Sequence, residues 1–406
     1  MCYDLNMTGK KITQLDTINF AVDTFGLYAI LIKARCRSGK LLGLWGGENL
    51  RVEIDNIKPR ETPSVDKPQY VDIPPAWNGT ALKGLAKTVI FLLPLNKGSH
   101  TLKLIPTRGA IIETYSITPI QNPPEISFSL DDQAEDGDRR PWYAFALIDL
   151  PLESLTADVT VDWHLFDGDD VKLIVDGHIE QNRKSIFWGN WAWHAKPEQI
   201  FSGVRREEKT FVRQLTKDVH YIEFWVDKTP TLHTVTLDLG DYTPKRIPTV
   251  EDPEWTGGFA DDPDQIILAR ALFGEARKTL VPDKARVAIG WVIKNRVKSN
   301  RWPNTYWGVI TEPEQFSSFN KDDPNREYVE DPLYKGLEID KTAWEHSYKI
   351  AGKIINSEVS DLTKRANHYY DDSINTPGWA EKQKPTLTIS YVNEYEERAN
   401  IFFFKL

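Results

Sequence analysis

Two pairs of short segments in this 406-residue chain match each other at nearly one offset, and that echo constrains the first 250 residues more than any other feature. Gly-Glu-Asn-Leu-Arg-Val-Glu-Ile-Asp-Asn (47–56) matches Gly-Asp-Asp-Val-Lys-Leu-Ile-Val-Asp-Gly (168–177). Lys-Gly-Ser-His-Thr-Leu (97–102) likewise matches Lys-Asp-Val-His-Tyr-Ile (217–222). The spacing, roughly 120 residues, is the length of one β-sandwich, so the region reads as two copies of one all-β unit. Short alternating or apolar runs agree with this, among them 27–34, 88–93, 101–105, 143–148, 171–175 and 221–226. Gly, Pro, Asp and Asn turns separate them, as expected of strands rather than helices. The expected layout is a jelly-roll-like sandwich over 1–122 and a second, similar one over 123–246, meeting near Pro123-Pro124. A Pro-, Asp- and Glu-rich linker over 247–261 follows, and then a different kind of domain over 262–406.

That last domain opens with a helical pattern. Asp261 or Asp262 suits an N-cap and Pro263 the first turn, and Ile266, Ala269, Phe273 and Ala276 recur at helical spacing. Glu275 lies on this amphipathic pattern in the run Ala-Leu-Phe-Gly-Glu-Ala-Arg (271–277), beside Leu272 and Phe273. Apolar neighbours raise a carboxyl's pKa, as a general acid working near neutral pH requires. The plainer reading is a surface glutamate paired with Arg270 or Arg277.

Further motifs follow in order: Val-Ala-Ile-Gly-Trp-Val-Ile-Lys-Asn-Arg-Val (287–297), Gln-Phe-Ser (315–317), Asn-His-Tyr (367–369) and Gly-Trp-Ala (378–380). With the Gly-Glu-Ala-Arg element, the ordered set resembles the spore-cortex-lytic SleB/CwlJ family of cell-wall hydrolases. The resemblance covers 262–406, and it departs from the family pattern at Lys278-Thr279 and at Asn400. It implies a mainly α, lysozyme-like domain acting on peptidoglycan glycan strands, with Glu275 in the place of the catalytic glutamate. The β-rich part resembles carbohydrate-binding or PA14-type jelly rolls only at the level of pattern.

On this reading Gln315 and Ser317 are candidates to bind N-acetyl groups, unless they cap a turn around Phe316. Tyr369 is placed to hold the sugar near the acid, His368 is a substrate-binding or structural histidine, and Trp379 is a stacking wall. Trp291 belongs to the core. The expected reaction is cleavage of the MurNAc–GlcNAc bond by a lytic transglycosylase or muramidase. One glutamate suffices if it turns from acid to base and draws the muramic C6 hydroxyl onto the anomeric carbon. A water-activating partner for the hydrolytic route would come from Glu312, Glu314, Asp322 or Asp323. The rival enzyme, an N-acetylmuramoyl-L-alanine amidase, ordinarily needs zinc. This region offers only His346 and His368, with no His-Glu-x-x-His. No metal or other cofactor is expected. The remaining alternative is a non-catalytic wall-binding or structural protein.

Composition narrows the partners. Net charge is -9 with a pI near 5.5, which disfavours nucleic acid. Cys2 and Cys36 are the only cysteines, so neither a disulfide framework nor a thiol nucleophile serves the C-terminal domain. Fourteen tryptophans suit a glycan binder as well as a large core. Trp191 and Trp193, two apart on an extended segment, share a face and form a candidate glycan platform, the alternative being core packing. His100 and His220 are expected to satisfy turns, and Asp167, Asp169 and Asp170 to form a solvated acidic turn rather than a calcium site. The N-terminus lacks a basic region followed by an apolar stretch, and no run is long enough to span a bilayer. The expectation is an enzyme made in the cytoplasm that reaches the wall by another route, as a phage-type lysin or spore-associated protein. Oligomeric state is not legible.

Overall fold

The computed structural model describes residues 3–5, 9–39, 46–55, 57–59, 73–121, 123–164, 167–182, 188–277, 280–313, 315–334, 338–393 and 395–406. The chain folds as two compact units, Met1–Lys245 and Arg246–Leu406. None of the described helices is long and apolar enough to cross a membrane.

The longer strands of the first unit are β1 (Asp16–Val22), β2 (Gly26–Arg35), β3 (Asn49–Ile54), β4 (Ala86–Leu95), β5 (Gly98–Thr107) and β6 (Ala110–Pro119). They continue as β7 (Glu125–Gln133), β8 (Arg140–Val161), β9 (Asp170–Val175), β10 (Arg205–Asp227) and β11 (Thr231–Asp238). A four-stranded sheet runs β1–β5–β3 and ends on the short strand Trp77–Asn78. Its buried Leu50, Val52, Ile54, Leu102 and Leu104 share a core with Ile30, Ile32, Val89 and Phe91 of a twelve-stranded sheet. A second core gathers Phe145, Leu147, Leu173, Trp193, Phe224, Val235 and Leu237.

The two halves of this unit are joined through one sheet. Its central order is β6–β2–β4–β8–β10–β9, with β11 on β8 and β7 on β11. β4 and β8 pair in parallel from Thr88↔Tyr143 to Leu92↔Leu147, so the seam between the halves is a hydrogen-bonded ladder. The strands beside it are long, 22 residues in β8 and 23 in β10. Register shifts between Leu147 and Ser154 let this pair bend from one side of the core to the other.

The matched segments fold alike. Ile54 pairs with Leu102, and Val175 pairs with Ile222. Asp55 and Asp176 follow these strands in the left-handed region, at φ 51° and 47°. Each aspartate faces a histidine Nδ1 at 2.8 Å, His100 or His220, and accepts the next residue's amide at 2.8 Å. Each Nε2 lies 2.7 Å from a carbonyl, that of Asn96 or Thr216. Carboxylate and carbonyl oxygens only accept, so both ring nitrogens must donate and each histidine is an imidazolium. For His220, burial is the largest single influence and works against the charge, but the Asp176 bond, the Thr216 carbonyl and the charges of Asp176 and Asp218 together outweigh it and raise the pKa.

The second unit comprises α1 (Asp264–Glu275), α2 (Asp283–Val297), α3 (Tyr306–Ile310), α4 (Arg326–Glu330) and α5 (Glu338–Ile355). Three strands follow, β12 (His368–Asp371), β13 (Leu387–Val392) and β14 (Arg398–Phe404), paired in the order β12–β14–β13. This corrects the expected mainly α, lysozyme-like domain: an antiparallel sheet closes the unit, and the molecule is 42 % strand against 18 % helix. Two of the strands escaped sequence reading because His368–Asp371 and Arg398–Phe404 are short and too aromatic to alternate cleanly.

Nor is α1 amphipathic. Every residue from Ile266 to Phe273 is buried, as in a helix packed on all sides, here by α3, α4 and α5. Asp262 does not cap it, because Pro263 is the N-cap and makes no side-chain bond. Asp262 instead pairs with Arg270 at 2.6 Å, both side chains fully buried. Arg270 also donates to the carbonyls of Pro253, Val329 and Glu330, tying the 253–262 segment and α4 to α1.

Candidate active site

Glu275 is the last residue of α1, where the helix meets two loops. Its predecessor explains the Gly-Glu pair. A Cβ on Gly274 would lie 2.5 Å from Ser318 Oγ and 2.9 Å from Val329 Cγ1, so only glycine lets the 315–319 segment approach the helix end. Neither arginine of the plainer reading neutralises Glu275. Arg270 is committed to Asp262, and Arg277 lies over the Tyr328 ring at 3.7 Å.

The partner of Glu275 comes from the sheet. Tyr369 on β12 donates its hydroxyl to Glu275 Oε2 at 2.8 Å. Among the described residues Oε1 has no hydrogen-bond partner. Burial pushes the Glu275 pKa up to about 7, Tyr369 pulls it down, the charges of Asp371 and Asp323 raise it, and Arg296 lowers it. Burial and the facing carboxylate hold the Tyr369 phenol well above its usual range, so it stays a donor.

Arg296 organises the surroundings. It is 5 % exposed on the last turn of α2, donating Nε to Asn367 O at 2.7 Å and Nη1 to Gln315 Oε1 at 3.0 Å. Its guanidinium lies 5.5 Å from the Trp302 ring centre and 5.7 Å from that of Phe316. One cation thus joins the Gln-Phe-Ser segment, the Asn-His-Tyr strand and the electrostatics of Glu275. Sequence reading missed it because an arginine near a helix C-terminus is ordinarily a solvated, dipole-favoured residue. Its membership of the Lys-Asn-Arg motif was the available signal.

The other expected residues fall in and around this cluster. Gln315 is held by Arg296, whereas Ser317 is exposed at the start of a single 3₁₀ turn, Ser317–Phe319. Its neighbour Ser318 is the buried one, 2 % exposed, with no partner for Oγ among the described residues. His368 lies between Trp302 and Trp379, ring centres 5.9 and 5.1 Å away, with Nδ1 2.8 Å from Asn367 Oδ1. Burial, then Arg296 and Arg301, lower its pKa, favouring the neutral ring. Trp379 remains 37 % exposed and packs on Tyr370 and Phe404. Trp291 is buried. Asn400, on the central strand β14, binds Asp372 Oδ2 through its side chain at 2.7 Å and so holds the turn that follows β12.

Among the acids, Asp323 faces Glu275 electrostatically while its Oδ1 accepts Asn325 N, and Asp322 is exposed. Glu312 acts on Arg296, with Oε2 buried and without a partner among the described residues. Glu314 and Lys278-Thr279 lie outside the described residues. Asp371, at the end of β12, raises the Glu275 pKa more than Asp323 does. His346 sits on α5 at 3.4 Å from Asp283. In the β-rich unit Trp193 is fully buried and donates Nε1 to Glu207 O, and Trp191 is 9 % exposed. That pair packs the core and presents no open platform. Asp169 spends its carboxylate on the amides of Asp162 and Thr229. Among the described residues no three His, Cys, Asp or Glu side chains are grouped to hold a metal ion.

The family model described as Cell Wall Hydrolase matches residues 281–393, which takes in Arg296, Gln315, Tyr369 and Trp379. Over these residues the C-terminal unit is similar to cell-wall hydrolases. The spore cortex-lytic enzyme of Bacillus subtilis (strain 168) is 45% identical over 62 residues, 15% of this chain and 19% of that protein. The chain thus spans about a fifth of the length of the curated relative it matches. The catalytic domain of Bacillus cereus SleB covers 35% of the chain at 24% identity and a TM-score of 0.22, over 89% of its own length. The catalytic domain of the germination-specific lytic transglycosylase SleB from Bacillus anthracis covers 35% at 27% identity and a TM-score of 0.24, over 93% of its length. Glu275 precedes the segment matched by the family model, at the end of α1 within the same unit.

Proposed function

We propose that the hydrolase unit cleaves the MurNAc–GlcNAc bond of peptidoglycan, with Glu275 as general acid and then base. The observation that carries this is a half-buried carboxyl poised at about 7, bound by Tyr369 on one oxygen. Near neutral pH such a group is present in both protonation states, the condition for giving and then taking a proton in one turnover.

The reaction runs without a second carboxylate. Glu275 delivers its proton from Oε1 to the glycosidic oxygen, the C1–O bond breaks, and its electron pair leaves with the protonated GlcNAc O4. The Glu275 carboxylate is then held by the Tyr369 hydroxyl and the Arg296 charge. It removes the proton of the muramic C6 hydroxyl, and O6 closes on C1 to give a 1,6-anhydro sugar. No water is consumed, and Glu275 ends protonated as it began. In this scheme the flanking sugars rest on Gln315, which Arg296 holds, and on the half-exposed Trp379.

The test is mass spectrometry of products from purified peptidoglycan. Anhydro-muramic ends are the expected result. Reducing muramic ends would replace the cyclisation by water attack and point to Asp323 or Glu312. Free stem peptides would overturn the glycosidase reading in favour of an amidase. No products from several wall types would overturn it in favour of a binding protein.

A further inference from the structure

Within the β-rich unit, β2, β4 and β8 and the end of β7 surround a cavity of about 180 Å³, walled by Lys33, Asp132, Gln133, Glu135, Arg140 and Trp142. We propose that this cavity binds one ring of a neutral saccharide, a second carbohydrate site independent of Glu275.

Three properties carry the assignment. The first is size, since a cavity of roughly 150 Å³ already admits a six-membered ring. The second is charge. Lys33 and Arg140 are matched by Asp132 and Glu135, and the adjoining Arg35 is shared between Glu113 and Glu135. A free anion or cation gains nothing from such a wall, whereas hydroxyl groups, which both donate and accept, can serve every member of it.

The third is an unanswered donor. Arg140 is 1 % exposed, and its guanidinium is fixed by bonds from Nη1 to Ala86 O at 2.8 Å and from Nη2 to Glu135 O at 2.9 Å. Its Nε–H is buried with no acceptor among the described residues. Leaving such a group unmatched is costly, and a ligand hydroxyl would satisfy it. On the same cavity wall, Lys33 reaches Asp132 only at 3.3 and 3.4 Å, a loose pair that vicinal hydroxyls can bridge while Tyr143 keeps its bond to Asp132 Oδ2. The rim is open, with the Lys33, Asp132 and Glu135 side chains 31%, 23% and 41% exposed. Trp142 forms a fixed apolar floor, its ring edge against Tyr143. These groups stand on paired strands, so the site is organised before any ligand arrives.

The experiment uses the full chain carrying Glu275→Gln, so that bound glycan is not consumed. Chitotetraose, cellotetraose, maltotetraose and β-1,4-galactotetraose are offered in turn, with saturation-transfer NMR as readout. At least one tetrasaccharide should bind, and Lys33→Ala or Gln133→Ala should each weaken it ten-fold or more. Trp379→Ala in the hydrolase unit should leave that binding unchanged. Arg140→Lys should behave like the other two if it folds, and the proposal stands or falls on Lys33→Ala and Gln133→Ala, whose side chains reach the rim. Binding of none of the four sugars would overturn the proposal, as would binding that ignores both rim variants. Saturable binding of inorganic phosphate at the same residues would overturn the neutral-ligand assignment. None of these outcomes depends on whether Glu275 is catalytic.

Discussion

The two units each bury a carboxylate against a ring-bearing side chain, with opposite results. In the β-rich unit, burial alone would raise Asp55, but bonds from His100 and the Thr101 amide outweigh it and the carboxyl lies below its usual range. In the hydrolase unit, burial outweighs the single Tyr369 bond, and Glu275 lies near 7. The number of donors decides between the two outcomes. A buried carboxylate with all its acceptor sites met is a fixed anion that holds a turn, whereas one with a bare oxygen holds a proton it can give away.

Substitutions can break this contrast. The largest expected effect is loss of turnover in Glu275→Gln, by roughly 10³-fold or more, within the range for removing a general acid–base group. Unchanged far-UV circular dichroism would show that the loss is chemical. Tyr369→Phe should cost about 10- to 100-fold in kcat. It removes a bond that lowers the Glu275 pKa, so the alkaline limb of the pH–rate profile should move upward. A downward move would mean that Tyr369 does not serve the carboxylate.

Stability sharpens the same comparison. Glu275 has a folded pKa of about 7 against an ordinary 4.5, so the folded state holds the extra proton between these values. Stability contributed this way falls as pH rises from 4.5 to 7. Glu275→Gln should therefore stabilise the hydrolase unit by up to about 3 kcal/mol at pH 8 and by almost nothing at pH 4, read by urea titration. The smallest effects belong to the turns. Asp55→Asn and Asp176→Asn should each cost about 1.5–3 kcal/mol at pH 6. The raised His220 pKa gives the same course as the raised acid, shifted to higher pH: its contribution is complete below the unfolded value and fades as pH rises through the folded one. Unequal losses in the two variants would separate turns that the geometry makes equal.

The sequence showed more of the chemistry than of the architecture around it. Glu275, Tyr369 and Gln315 were readable because their motifs follow one another in a fixed order, and the fold brings them together. Ser317 was one residue off the buried position, since the three-residue turn that seats Ser318 against Gly274 has no periodicity to read. Arg296 was hidden by its type, and α1 misled because its cation, Arg270, mimics a polar face while lying fully buried beside Asp262. Trp193 misled in the opposite way: its indole fills a core, and two-residue spacing cannot say which side of a sheet is wet. In the β-rich half the echo located the matched turns. It did not show the parallel ladder between the copies, because pairing across a repeat boundary leaves no mark on either repeat.

That ladder has a consequence for how this protein can be divided. Repeats that merely touch can be separated and studied one at a time, each with its surface intact. Here a cut near residue 123 would strip β4 of β8 and leave two long apolar edges, Thr88–Leu92 and Tyr143–Leu147, bare to solvent. Such edges recruit other strands, so each half alone should aggregate rather than fold. The smallest heritable piece of the β-rich region is the pair, and recombination among related proteins should move the two copies together or not at all.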